Sequence, residues 1–194
     1  MGSYHKLPVP VVLLVANVAA LAQNPTYNLG RPPSEEEVKA WDIGIDPEGK
    51  GLPPGSGVAT QGAEIFARRC QACHGQKGAG IPGGAAPELV GGVGTLQSSK
   101  PVRTVGSYWP FATEIWDFIR RAMPMNQEGT LKTDEVYALT AAILYWNGII
   151  QENDVMDAQS LPKVKMPNRD GYIPPPISEW KPGMPRPFKI IPSR

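Results

Sequence analysis

The chain has 194 residues, 19 basic against 18 acidic, and only two cysteines and two histidines. This balance, without any basic stripe carrying interleaved aromatics, argues against a nucleic-acid partner. Proline (22) and glycine (21) stand well above average usage, so much of the chain is expected to be loop around one small cored domain.

Residues 1–22 differ in kind from the rest. Lys6, the N-terminus and His5 form a short positive region, Leu7 to Ala19 is apolar, and Ala20-Leu21-Ala22 offers a small-residue cleavage site before Gln23. This pattern predicts a secretory signal peptide. A membrane anchor is the alternative, but the run is shorter than the roughly 20 residues a span needs, and Pro8 and Pro10 interrupt its start. No membrane span is expected after cleavage.

Residues 23–57 are expected to form an N-terminal arm. Its one periodic stretch begins at Ser34, where Glu37 completes a capping box and Glu35 to Glu37 give an acidic first turn. Val38 and Trp41 share the apolar side, and Trp41 is the expected anchor of the arm. Pro47 and the Gly- and Pro-rich run 51–57 end the helix.

A cored domain is expected over 58–148. Gln61 to Cys73 has helical character, with Ile65, Phe66, Arg69, Cys70 and Cys73 including i, i+4 pairs. Gly62, one turn before Phe66, would let another helix approach closely. The helix runs into Cys70-Gln71-Ala72-Cys73-His74, the attachment signature of c-type haem. Each thiol adds across one haem vinyl group, and His74 then supplies an axial nitrogen to the iron. Structural zinc needs about four ligands, and the pentapeptide has three. A Cys70–Cys73 disulfide would close a very short loop and stabilise little. No βαβ pattern surrounds the pair, as a thioredoxin-like dithiol would require. One covalent haem c is therefore expected.

The glycine-rich run 75–84 lacks the spacing and Lys-Ser/Thr end of a phosphate cradle and reads as a tight loop. Downstream, the Pro87 carbonyl is one candidate acceptor for the Nδ1–H of His74, a bond that fixes the imidazole tautomer; plain loop is the other reading. Tyr108 to Met123 predicts a helix with an apolar stripe through Phe111, Ile115, Trp116, Phe118, Ile119 and Met123, and with Asp117, Arg120 and Arg121 elsewhere on the wheel. Pro124 closes it.

A second axial ligand is needed for electron transfer with little rearrangement. With His5 in the leader, methionine is the leading candidate, and Met/His coordination raises the potential. Met123, held by the helix end and Pro124, is preferred over Met125. A last helix, capped by Thr133-Asp134-Glu135, spans Val136 to Trp146, and Asn147-Gly148 is a C-cap signal. It is expected to cross the Gly62–Cys73 helix. Residues 149–194 read as a C-terminal arm, with nine prolines between Pro162 and Pro192. Tyr172, Ile173, Ile177 and Trp180 make it too apolar for a solvated linker.

Residues 58–148 resemble a class I cytochrome c domain, through Gly62-x-x-x-Phe66, Pro87-x-Leu89, Met123-Pro124 and Leu144-Tyr145. The resemblance implies an all-α fold around the haem, with Pro87 and Leu89 among the cofactor-binding residues and His74 and Met123 as metal ligands. It also implies that Tyr108, Trp109 or Arg103 bonds the haem propionates, and that no catalytic residue is present.

The runs 93–96, 100–110, 119–124 and 161–171 further resemble the cytochrome subunit (SoxD-like) of Sox-type sulfur and sulfite dehydrogenases. That resemblance implies a periplasmic electron-transfer protein. Its partners would be a molybdenum-cofactor subunit of the sulfite oxidase class and a downstream cytochrome or oxidase. Some members of that family carry two haems, whereas one haem motif is present here. A free shuttle to a terminal oxidase, or a haem enzyme or sensor with an open iron site, are the competing functions.

Overall fold

A computed structural model describes residues 29–84 and 86–172. The expected leader and residues 173–194 of the expected C-terminal arm lie outside the described residues. The chain divides into two compact units at Asp42 and Ile43.

In the first unit, α1 (Glu35–Trp41) is a short helix held by its own cap. Ser34 Oγ accepts from the Glu37 amide at 3.3 Å, and the Glu37 carboxylate accepts from the Ser34 amide at 2.7 Å. The same carboxylate takes two bonds from the Arg31 guanidinium, which lowers its pKa, with the Ser34 amide adding to the effect. No residue of α1 is buried, and Trp41 is 85% exposed.

The second unit is helical. Its elements are β1 (Ser56–Gly57), α2 (Ala59–Arg69), α3 (Gln71–His74), α4 (Val105–Tyr108), α5 (Ala112–Ala122), α6 (Thr133–Trp146) and β2 (Met156–Asp157), with 3-10 turns at Gln76–Gly78 and Leu161–Lys163. The architecture is all-α apart from the antiparallel pairing of β1 and β2, two residues each.

The α2–α6 crossing organises the core. A side chain at Gly62 would overlap the Ala138 carbonyl and come within 2.8 Å of the Ala142 methyl, so only glycine lets α2 lie this close to α6. One turn on, Phe66 is buried and meets Trp146 edge to face, at 4.9 Å between ring centres. Burial of a side chain this size contributes about 2–3 kcal/mol. α6 is buried from Val136 to Leu144. Its far end closes as a Schellman motif: Ile149 N–H bonds the Leu144 carbonyl, Gly148 N–H bonds that of Tyr145, and Gly148 takes φ +69°. At the near end α6 starts at Thr133, three residues before the expected Val136, because the Glu135 carboxylate accepts from the Lys132 amide.

Two sequence expectations are corrected. The helix expected to run from Gln61 to Cys73 breaks at Cys70 (φ −124°, ψ −34°). Bonding continues through the kink, because Cys70 N–H bonds Phe66 and its carbonyl accepts from Cys73 and His74. The helix expected from Tyr108 is two helices. Pro110 has no N–H to donate and drives Trp109 into extended backbone (φ −71°, ψ 134°), so Tyr108 ends α4 and α5 starts at Ala112.

The apolar stripe on α5 is also displaced. Its buried arc runs through Ala112, Thr113, Ile115, Trp116, Asp117 and Ile119, while Phe118 is 47% exposed. Asp117 is buried in this arc, and Arg121, one turn on, pairs with one of its carboxylate oxygens.

The segment after α6 fills the remaining gap. Ile150, Met156, Leu161, Val164 and Met166 are all buried in the same core as Phe66 and Leu144. Ile45 and Leu52, ahead of β1, pack against it as well.

Candidate functional site

α2 delivers its last residues to the kink at Cys70, and the single turn of α3 carries Cys73 and His74. The two thiols are unpaired; Cys70 is half-buried and Cys73 exposed. Burial, with a smaller push from Cys73 and opposed by Arg69, raises the Cys70 pKa to about 11. At neutral pH this sulfur is a thiol and not a reactive thiolate.

After His74 the chain doubles back. Gly75 adopts φ +74°, and a side chain there would overlap the Gly80 carbonyl. Gly80 N–H bonds the His74 carbonyl at 2.8 Å, and Leu89 N–H bonds that of Gly78 at 2.8 Å. This double return brings the Pro87 carbonyl oxygen to 3.1 Å from His74 Nδ1. A carbonyl only accepts, so Nδ1 is the nitrogen that donates, and in the neutral imidazole Nε2 is then the one with a free lone pair. Leu89, beside Pro87, is half-buried against the core.

Met123 follows α5 directly as its C-cap and is half-buried against the core. Met125 is 72% exposed. The chain then turns through Gln127, whose N–H bonds the Pro124 carbonyl at 2.9 Å. Arg69, one residue before Cys70, donates to Gln127 Oε1 at 3.2 Å and to Thr130 Oγ1 at 2.8 Å. α2 thus holds the turn beyond Met123 as well as the thiols.

Of the three residues suggested for propionates, Arg103 and Tyr108 are adjacent, with the guanidinium carbon 5.5 Å from the Tyr108 ring centre. Trp109 lies edge-on to Phe118 at 5.6 Å. Tyr108 is also held from the C-terminal side: Tyr172 lies 5.4 Å from its ring, and Asn168 donates to its carbonyl at 2.7 Å.

The donor set fits a covalently held haem c. It comprises two free thiols one helical turn apart, an imidazole whose Nδ1 is occupied and whose Nε2 is left for metal, and a half-buried thioether on a separate element. One residue that sequence reasoning did not place here is Asn147, noted only as a helix C-cap. Its side chain bonds the Leu89 carbonyl, the Gly91 amide and the Ile143 carbonyl at 3.1, 3.0 and 2.8 Å.

The family described as cytochrome C oxidase, cbb3-type, subunit III matches residues 57–141. A chain in the crystal structure of the sulfane dehydrogenase SoxCD from Paracoccus pantotrophus is 37% identical, with a TM-score of 0.69. The match covers 82% of this chain and 81% of that one. Among curated proteins no sequence matches. With its thiol–imidazole turn, its α2–α6 crossing and this likeness over most of both chains, the protein belongs to the class I c-type cytochromes and resembles the SoxD-like cytochrome subunit of Sox-type sulfur dehydrogenases.

Proposed function

We propose that the chain is a periplasmic mono-haem cytochrome that accepts electrons from a molybdenum-cofactor dehydrogenase of the sulfite oxidase class and passes them to a downstream cytochrome or oxidase. Haem c, when attached, supplies a one-electron ferric/ferrous couple. In this reading Cys70 and Cys73 would hold it covalently, each S–H adding across a vinyl group so that no atom is lost. His74, through Nε2, and Met123, through Sδ, would be the iron ligands, and Pro87 and Leu89 would shape the surroundings of the imidazole. The chain makes and breaks no substrate bond.

The observation that carries the reading is the 3.1 Å approach of His74 Nδ1 to the Pro87 carbonyl. It fixes the tautomer that leaves Nε2 for metal and raises the basicity of that nitrogen. Likeness to a chain of SoxCD over 82% of this one supports the choice of partner. The haem motif and the sequence pattern of residues 1–22 support a periplasmic site of action. Among the described residues, no helix is long and apolar enough to cross a membrane.

Two experiments test this. In the oxidised protein, Met123→Ala is expected to abolish the sulfur-to-iron absorption band and Met125→Ala to leave it intact; the reverse result would exchange the two. For the partner, the useful truncation removes 173–194, because a cut at Leu161 would also take Leu161, Val164 and Met166 out of the core. Truncation after Tyr172 is expected to weaken co-purification with the molybdenum subunit without changing the haem spectrum. A full-length chain that elutes alone beside that subunit in gel filtration would favour a free shuttle.

A further inference from the structure

We infer that Asn147 is a positioning residue that sets the hydrogen bond between His74 and Pro87 from the end of α6. The inference rests on the reading of His74 as an iron ligand and extends it to a residue outside the haem motif.

Besides the His74–Pro87 bond, four hydrogen bonds among the described residues tie residues 89–91, just beyond Pro87, to the rest of the fold. Leu89 N–H bonds the Gly78 carbonyl at 2.8 Å, and Thr104 Oγ1 donates to the Gly91 carbonyl at 2.6 Å. The other two come from one side chain: Asn147 Nδ2 donates to the Leu89 carbonyl at 3.1 Å, and its Oδ1 accepts from Gly91 N–H at 3.0 Å. An amide is the only neutral side-chain group that presents a fixed donor and a fixed acceptor side by side, as the Leu89 carbonyl and Gly91 amide require.

Asn147 is fixed in turn. Nδ2 also donates to the Ile143 carbonyl at 2.8 Å, one turn back on α6. On its other side α4 presses so closely that a methyl at Gly106 would overlap the Asn147 amide. Gly106 does not have the positive φ that demands glycine, so the space needed by Asn147 accounts for it. α4, α6 and the proximal loop therefore meet at one half-buried amide, which grips Leu89 two residues beyond the carbonyl that accepts the His74 Nδ1–H bond.

Loss of this clamp lets the Pro87 carbonyl retreat. The imidazole becomes less basic, ferric iron is less favoured, and the midpoint potential rises. The experiment compares full-length wild type, Asn147→Ala, Gly106→Ala and Gly148→Ala, each expressed with haem. Gly148→Ala strains the same helix end, where φ is +69°, but its methyl would meet nothing within 4 Å.

Asn147→Ala and Gly106→Ala are expected to raise the potential, and Gly148→Ala to lower thermal stability with the potential unchanged. Amide exchange at Gly91 is expected to quicken about tenfold in Asn147→Ala, the factor for loss of one hydrogen bond. If Asn147→Ala does not fold, Gly106→Ala decides, since it displaces the amide without removing it. Potentials that coincide with wild type, or an equal rise in Gly148→Ala, overturn the inference while leaving the haem reading intact. A wild-type chain lacking covalent haem in its pyridine spectrum overturns both.

Discussion

The two loops that follow the candidate iron ligands are fastened in opposite ways. The loop beyond His74 is held by the half-buried Asn147 and by backbone bonds that return it to the haem motif. The loop beyond Met123 is fastened from outside by Arg69, an exposed side chain whose partners Gln127 and Thr130 are also exposed. Water readily replaces an exposed donor, whereas removal of a half-buried one leaves its partners unpaired. The loop beyond Met123 is therefore the one expected to open first.

The largest expected effect removes the comparison altogether. Gly62→Ala drives a methyl into the Ala138 carbonyl and separates α2 from α6, the frame on which both loops are hung. Overpacking of this kind costs about 3 kcal/mol, readable as a lowered denaturant midpoint. A midpoint equal to wild type would mean that the crossing is looser than described.

Next comes Asn147→Ala, expected to cost about 2 kcal/mol for the bonds lost to the part-buried Leu89 and Ile143 carbonyls and to the exposed Gly91 amide. A loss no greater than that from Arg69→Ala would erase the difference between the loops.

Tyr137 supplies a reference away from both loops. It is buried in α6, and its hydroxyl donates to the Pro53 carbonyl at 2.9 Å. Burial, with help from the negative charge of Asp157, pushes its pKa up to about 12. The folded value lies above the unfolded one of about 10, so the stabilising contribution is full below pH ~10 and fades as pH rises toward ~12. Tyr137→Phe is expected to lose about 1 kcal/mol at neutral pH. In urea titrations at increasing pH, its deficit against wild type should shrink above pH ~10. Parallel curves for the two proteins would contradict this.

The smallest effect belongs to Arg69→Ala, below about 1 kcal/mol, as for other exposed polar contacts. It should nevertheless speed amide exchange at Gln127, whose N–H closes the turn back to Pro124, and leave Gly91 untouched. Faster exchange at Gly91 would show that the two fastenings are coupled.

Features set by neighbours in the chain were readable in advance. The Ser34–Glu37 box and the Asn147-Gly148 terminus depend on short spacings, whereas the need for glycine at position 62 is imposed by α6 and showed in the sequence only through its place one turn before Phe66. Asp117 and Phe118 exchanged their expected environments because the wheel places residues relative to one another but does not say which arc faces the core. The buried carboxylate there pairs with Arg121 through Oδ2, while Oδ1 has no partner among the described residues.

The partners of Asn147 lie 56 and 58 residues away, on a loop without periodicity, so only the folded chain brings them together. The same holds for Met156, Leu161, Val164 and Met166, which are scattered through short, proline-interrupted stretches that give no helical or strand signal. Their burial is visible only once α6 is in place.

That last group bears on where the module ends. The family match stops at residue 141, inside α6, yet apolar packing continues to Met166 and begins as early as Ile45. A stretch cut to the family borders and transplanted into another protein would carry bare apolar surface and tend to stick or misfold. The smallest graft that brings its own interior with it runs from about Ile43 to at least Met166, so the helices of this domain need both flanking straps to stand alone.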